Sequence, residues 1–279
     1  MWGNMRKLAI GAALSGALAL AGLAAPAASA AGTPDLTFSG VTVNKGKPVV
    51  IGTTQAVSVP VSYTLTRPKN LVIDQKKTVQ AVILYRGTLR SVDNELGPDK
   101  APVCTTAATT DTTVTEKCTE TIVAVPGEAL YEAADAGTWK AAGVYAHSDG
   151  SASDDYLHSE NDLTLWGGLA SVKVQRAARL TADAAPEPVV KGRTLTVKGK
   201  LTRATWSSGT YTGYRDQKAV LQFKADGGAY VNVRTLTSGT GGALSTTVKA
   251  TRSGTYRFVF AGTATTGAKT SAGDHVTVK

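Results

Sequence analysis

The sequence predicts an all-β chain folded as two tandem sandwiches, and three observations carry that expectation. The composition is rich in Thr, Val, Gly and Ala, with only four Phe and two Met, and no long segment shows helical periodicity. Apolar residues recur at every second position through many short stretches, the pattern of strands with one buried face. Gly, Asp, Ser and Pro clusters punctuate those stretches at the spacing of tight turns.

The first thirty residues read as a leader rather than as part of the fold. Arg6 and Lys7 precede an apolar run over 8–23, and Ala28-Ser29-Ala30 supplies the small residues that a signal peptidase accepts. Cleavage before Ala31 is therefore expected, which leaves about 249 of the 279 residues, enough for two ordinary domains. No later stretch is apolar for long enough to span a bilayer as a helix, so no membrane span is expected in the mature chain.

The first sandwich is expected over 31–177. Leu36 and Phe38 alternate, and Val41 and Val43 resume out of phase across Gly40, which predicts a bulge. Val57, Val59, Val61, Tyr63 and Leu65 are the clearest strand, with Pro60 on its polar side arguing that this stretch lies at a sheet edge. Further strands are read at 79–85, 121–125, 139–145, 163–166 and 169–174. The stretch 86–121 reads as long loops. It holds Cys104 and Cys118, expected to form a disulfide in an oxidising compartment.

The second sandwich is expected over 178–279, joined through 182–188, where the prolines of Ala-Ala-Pro-Glu-Pro predict an extended, semi-rigid linker. Leu195, Val197, Gly199 and Leu201 alternate with Thr194, Thr196, Lys198 and Lys200. Ala219, Leu221 and Phe223 lead into Asp226-Gly227-Gly228, a hairpin signal, followed by Val231 and Val233. Leu244, Thr246 and Val248, then Tyr256, Phe258 and Phe260, then Val276 and Val278 complete the set. Seven short strands in about a hundred residues suit an immunoglobulin-like sandwich, and the same class is expected of the first half.

Two short echoes link the halves. Lys45-Gly46 precedes a strand ending Leu65-Thr66-Arg67, as Lys191-Gly192 precedes one ending Leu201-Thr202-Arg203. Gly137-Thr138-Trp139-Lys140 is echoed by Gly254-Thr255-Tyr256-Arg257.

Lys191-Gly192, Leu195-Thr196-Val197, Gly199 to Arg203, Trp206, Tyr211, Gly213-Tyr214 and Leu221-Gln222-Phe223 resemble a domain that recurs at the C-terminus of secreted actinobacterial proteins of unknown function. The resemblance covers roughly 178–279 and implies an Ig-like module and an exported protein. It implies no activity.

Charge divides unevenly. Residues 31–177 carry 13 basic against 16 acidic residues, whereas 178–279 carry 15 against 5. The second half is therefore expected to be drawn to polyanions such as cell-wall polymers. Lys198 and Lys200 share the polar face of their strand, so they are expected to be exposed together. Nucleic acid is not expected as a partner of an exported chain that lacks a recognisable nucleic-acid module.

Two loops attract attention. Asp149, Ser151, Ser153, Asp155 and Glu160 fall at positions 1, 3, 5, 7 and 12 of an EF-hand count, but Asp154 stands where the sharp turn wants Gly and the flanks read as strands. A looser Ca²⁺ site and a solvated acidic loop both remain open. Trp206, Tyr211 and Tyr214 lie among small residues, bracketed by Arg203 and Arg215. Such rings either stack on a glycan or a protein partner, or fold back over the open end of the sandwich.

No nucleophile elbow, zinc-protease helix, phosphate loop or dinucleotide fingerprint occurs, so a non-enzymatic protein without a resident cofactor is expected. His147, His158 and the carboxylates of the first half leave a hydrolase with an unrecognised site as an alternative. The leading expectation is a secreted binding or structural protein held near the envelope by its basic second half. A Ca²⁺- or carbohydrate-binding extracellular protein is the other reading, and another secreted protein is a further candidate partner.

Overall fold

The computed structural model describes residues 34–147 and 163–279. The candidate Ca²⁺-ligand positions Asp149, Ser151, Ser153, Asp155 and Glu160, the leader, and His158 lie outside them. The chain is all-β, and its contacts divide it into two compact units.

The first unit takes its described residues from the chain up to Lys47 and from Val57–Ala124 and Thr138–Val172. Its strands are β1 (Thr37–Val43), β3 (Val57–Pro68), β4 (Thr78–Thr88), β5 (Ser91–Leu96), β6 (Val103–Thr109), β7 (Thr113–Ala124), β8 (Gly137–His147) and the first part of β9 (Leu163–Arg176), whose last four residues belong to the second unit; a short β2 (Val49–Ile51), also of the second unit, lies between β1 and β3 in the chain. One sheet has the order β1-β3-β7-β6, and the other runs β9-β8-β4-β5. Lettered in chain order, these are A-B-E-D and G-F-C-C′, the strand order of an immunoglobulin sandwich.

Local patterning explains the placement. On β3, Val59, Val61, Tyr63 and Leu65 are buried while Ser58, Pro60 and Ser62 are exposed. Pairing with β1 stops at Val43 opposite Val61, so Pro60 lies just past it, where β3 has only β7 beside it, the edge-like setting in which a strand tolerates proline. The bulge at Gly40 is present as a register shift between Ser39 and Thr42, with Gly40 at φ 59°. Strand β4 is buried on both faces, as its unbroken apolar run Ala81–Tyr85 requires.

Two expectations for this half are corrected, and one is met. The stretch 86–121 is not loop: it contains β5, β6 and most of β7. Nearly all of β6 is exposed, so its Thr/Ala sequence carries no alternation to read. The stretches 163–166 and 169–174 are one strand, β9, which carries Gly168 in the left-handed region at φ 74°. The disulfide Cys104–Cys118 forms as expected, and it joins residues directly opposite in the β6–β7 pair rather than linking two sheets.

The second unit contains Pro48–Ala56, Val125–Gly137 and Lys173–Lys279. It therefore takes in stretches that the sequence had placed wholly in 31–177. Its strands are β10 (Ala178–Leu180), β11 (Asp183–Ala185), β12 (Thr194–Thr205), β13 (Thr210–Gly213), β14 (Lys218–Ala225), β15 (Tyr230–Thr237), β16 (Ala243–Lys249), β17 (Gly254–Phe260), β18 (Lys269–Thr270) and β19 (Asp274–Val276). Strand β2 runs parallel to Val174–Arg176 at the end of β9. One sheet packs β10, β11, β13 and β16 around β12, and the other has the order β15-β14-β17, with β18 and β19 on β17. The letters are now A-B-E and C′-C-F-G, again immunoglobulin-like. One core fills the space between: Leu195, Val197 and Leu201 from the first sheet meet Leu221, Tyr256 and Phe258 from the second.

The expected linker is corrected here. Residues 182–188 contain β11, which pairs with β12, and Ala184 is fully buried in the core. The first strand of this sandwich is thus broken into β10 and β11, and Ala185-Pro186 and Glu187-Pro188 are both cis peptides. Val231 and Val233 sit on β15 at the sheet edge and are exposed, so their alternation does not mark a buried face. Both sequence echoes fall on corresponding strands, β3 with β12 and β8 with β17.

Candidate functional site

The aromatic loop of the second unit is built inward. After β12, Trp206–Ser208 forms a 3-10 turn closed by Gly209 in the left-handed region at φ 63°, and β13 returns along β12. Trp206 is 1% exposed, and its indole N–H donates to the Ile51 carbonyl at 3.4 Å. The Arg176 guanidinium lies 5.1 Å from the Trp206 ring and donates to the Glu132 carbonyl at 3.2 Å. Burial, followed by repulsion from Arg203, lowers the Arg176 pKa.

The two tyrosines are half-buried and similarly engaged. Arg179 stacks 3.7 Å from Tyr211, and Arg203 stacks 4.3 Å from Tyr214, whose ring meets Phe260 edge-on. Trp206 therefore offers no face to a ligand. Tyr211 and Tyr214 are each covered by an arginine rather than left as a bare stacking platform.

The other expected cations are also partly neutralised. Arg215 pairs with Asp216 at 2.8 Å. Lys198 and Lys200 are exposed as expected, but Asp183 on β11 lies directly opposite Lys198. His275 pairs with Asp226 at 3.1 Å. Five further cations, Lys191, Arg193, Lys249, Arg252 and Lys279, are exposed and have no ion-pair partner among the described residues. Sequence reading passed over them because they occupy three separate stretches, each only one or two charges strong.

The first unit holds a different arrangement. Glu120 on β7 is buried, and one carboxylate oxygen accepts the Val82 N–H at 2.9 Å while the other accepts the Tyr63 hydroxyl at 3.3 Å. Gln80 donates to the Tyr63 oxygen at 2.9 Å. Burial raises the Glu120 carboxyl to about 8 despite these bonds, and burial next to Glu120 raises the Tyr63 phenol. Glu95 on β5 is also buried, has no hydrogen-bond partner for either carboxylate oxygen, and is pushed up to about 8 by burial. A concavity of about 650 Å³ lies beside the first sheet, with Pro60, Val103 and Val123 in its wall and Lys45 and Lys100 among its lining.

Among the described residues no group of three or more His, Cys, Asp or Glu side chains is placed to hold a metal ion. No helix among them is long and apolar enough to cross a membrane.

Neither a family model nor a curated protein matches the chain. Among solved structures, an amphioxus IgVJ-C2 molecule is similar at 10% identity and TM-score 0.28, over 82% of this chain and 99% of that one. The ectodomain of mouse nectin-like molecule 4 is similar at 15% identity and TM-score 0.23, over 85% of this chain and 63% of that one. The Yersinia pseudotuberculosis adhesin InvE is similar at 11% identity and TM-score 0.26, over 86% of this chain and 58% of that one. The strand order of the two sandwiches, and not these distant likenesses, makes the fold immunoglobulin-like.

Proposed function

We propose that this chain is an exported, non-enzymatic binding or structural protein that associates with an anionic cell envelope through its basic second half. The observation that carries the reading is the excess of 15 basic over 5 acidic residues in 178–279, with many of those cations exposed. An excess of that size draws polyanions over distances of about a Debye length, roughly 8 Å at physiological salt. The leader-like first thirty residues and the Cys104–Cys118 disulfide support export to an oxidising compartment.

Retention of the exported chain on isolated cell wall tests this. Binding at low ionic strength that is released stepwise by added salt is the expected result. A chain that flows through even at low salt would sink the reading.

A further inference from the structure

Of the fifteen cations in 178–279, five are brought to one end of the second sandwich by its backbone pairing. Val190–Arg193 is a turn in which the Arg193 N–H donates to the Val190 carbonyl at 3.0 Å and Gly192 takes φ 80°. That turn is fastened on two sides. The Gly192 N–H donates to Ala250 and the Ala250 N–H returns to Arg193, at 2.7 and 2.9 Å. The Lys191 N–H donates to Lys279 at 2.9 Å, and the Lys279 N–H to Val189 at 3.0 Å. Lys249 is paired with Thr194, and Arg252 follows two residues after Ala250.

Three stretches far apart in sequence thus bring Lys191, Arg193, Lys249, Arg252 and Lys279 to one end, all exposed. The acids nearest them along these stretches are few. Asp226, whose N–H donates to Ser253, is occupied by His275, and Glu187 lies four residues before Lys191.

We propose that this end of the second unit binds a linear polymer carrying repeated phosphate charges. The inference rests on the envelope reading above and narrows it to a site and a ligand chemistry. Each exposed ion pair is weak, so a single small anion gains little from any one of these side chains. A polymer that meets several of them together adds the contacts and releases its counterions, which makes binding strong at low salt and steeply salt-dependent. A membrane surface fits less well, because Val190 is the one large exposed hydrophobic residue among these turns and strands. The β12 face fits less well too, because Asp183 stands opposite Lys198.

The test uses the exported chain with inorganic polyphosphate, monomeric phosphate and phosphatidylglycerol vesicles as probes, alongside isolated cell wall. Wild type should bind polyphosphate and wall, and should bind monomeric phosphate and vesicles far more weakly. K191E/R252E should lose about tenfold or more in affinity for polyphosphate, and K191Q/R252Q should lower the salt slope by roughly one to two. K198E/K200E should change affinity by less than about threefold. If K191E/R252E unfolds, R193E/K249E probes the same end from the neighbouring positions.

Wall retention that survives in both end variants would overturn the site and leave the envelope reading standing. Vesicle binding in place of polyphosphate binding would overturn the ligand class. Polyphosphate binding lost in the end variants, with no retention of wild type on wall, would keep the site and sink the envelope reading.

Discussion

Glu120 and Glu95 are carboxyls whose surroundings favour the neutral form. The ordinary carboxyl value near 4.5 is raised by burial to about 8 in each, so the folded chain holds protons that the unfolded chain releases between those values. The stabilising contribution is therefore complete below about 4.5 and is lost as the pH rises to about 8. One proton held only by the folded state is worth about 1.4 kcal/mol per pH unit, so the fall between pH 5 and pH 8 is bounded at about 4 kcal/mol per group. Glu95 has no hydrogen bond to lose, so E95Q should remove its share and flatten the dependence. Urea unfolding of wild type and E95Q at pH 5 and pH 8 checks this. Equal losses of stability in the two proteins would show that Glu95 is ionised in the fold already.

At the scale of elements, the disulfide holds a strand that little else holds. β6 pairs with β7 alone, and all its residues but Cys104 are exposed. C104S/C118S should therefore loosen β6 first, with a cost of about 3 kcal/mol on the chain-entropy model for a loop of this length. Faster amide exchange confined to 103–109 is the expected signature, and unchanged exchange there would count against it. The same weakness explains what the sequence concealed. Alternation revealed β3, β12 and β17, where one face is buried, and an unbroken apolar run revealed β4, where both are. It failed for β5 and β6, which bury little, and misled at Val231 and Val233 on β15. Proline content made 182–188 resemble a linker, although Ala184 is fully buried beside Val197. The aromatic loop was legible as a loop, but whether Trp206 faced in or out depended on Ile51, which is distant in sequence. The basic end was illegible for a related reason: only strand pairing brings Lys191, Lys249 and Lys279 together.

For the whole molecule, the compact unit and the run of sequence do not coincide. The second unit is completed by Pro48–Ala56 and Val125–Gly137, which supply the Ile51 carbonyl to Trp206 and the Glu132 carbonyl to Arg176. A fragment of residues 178–279 lacks both stretches, and it also lacks Arg176 itself. Trp206 is the one tryptophan in that fragment, so its emission reports this boundary without interference. The isolated fragment should keep the core between its two sheets, because Leu195, Val197, Leu221 and Phe258 are all present. Its Trp206 should nevertheless emit at longer wavelength than a buried indole and be quenched readily by acrylamide. Thermal stability should rise when the fragment is extended to include the missing stretches, since uncovering a large buried aromatic costs about 3 kcal/mol or more. A blue-shifted, acrylamide-protected Trp206 in the 178–279 fragment would show that the basic sandwich closes by itself, and that the two earlier stretches are dispensable to it.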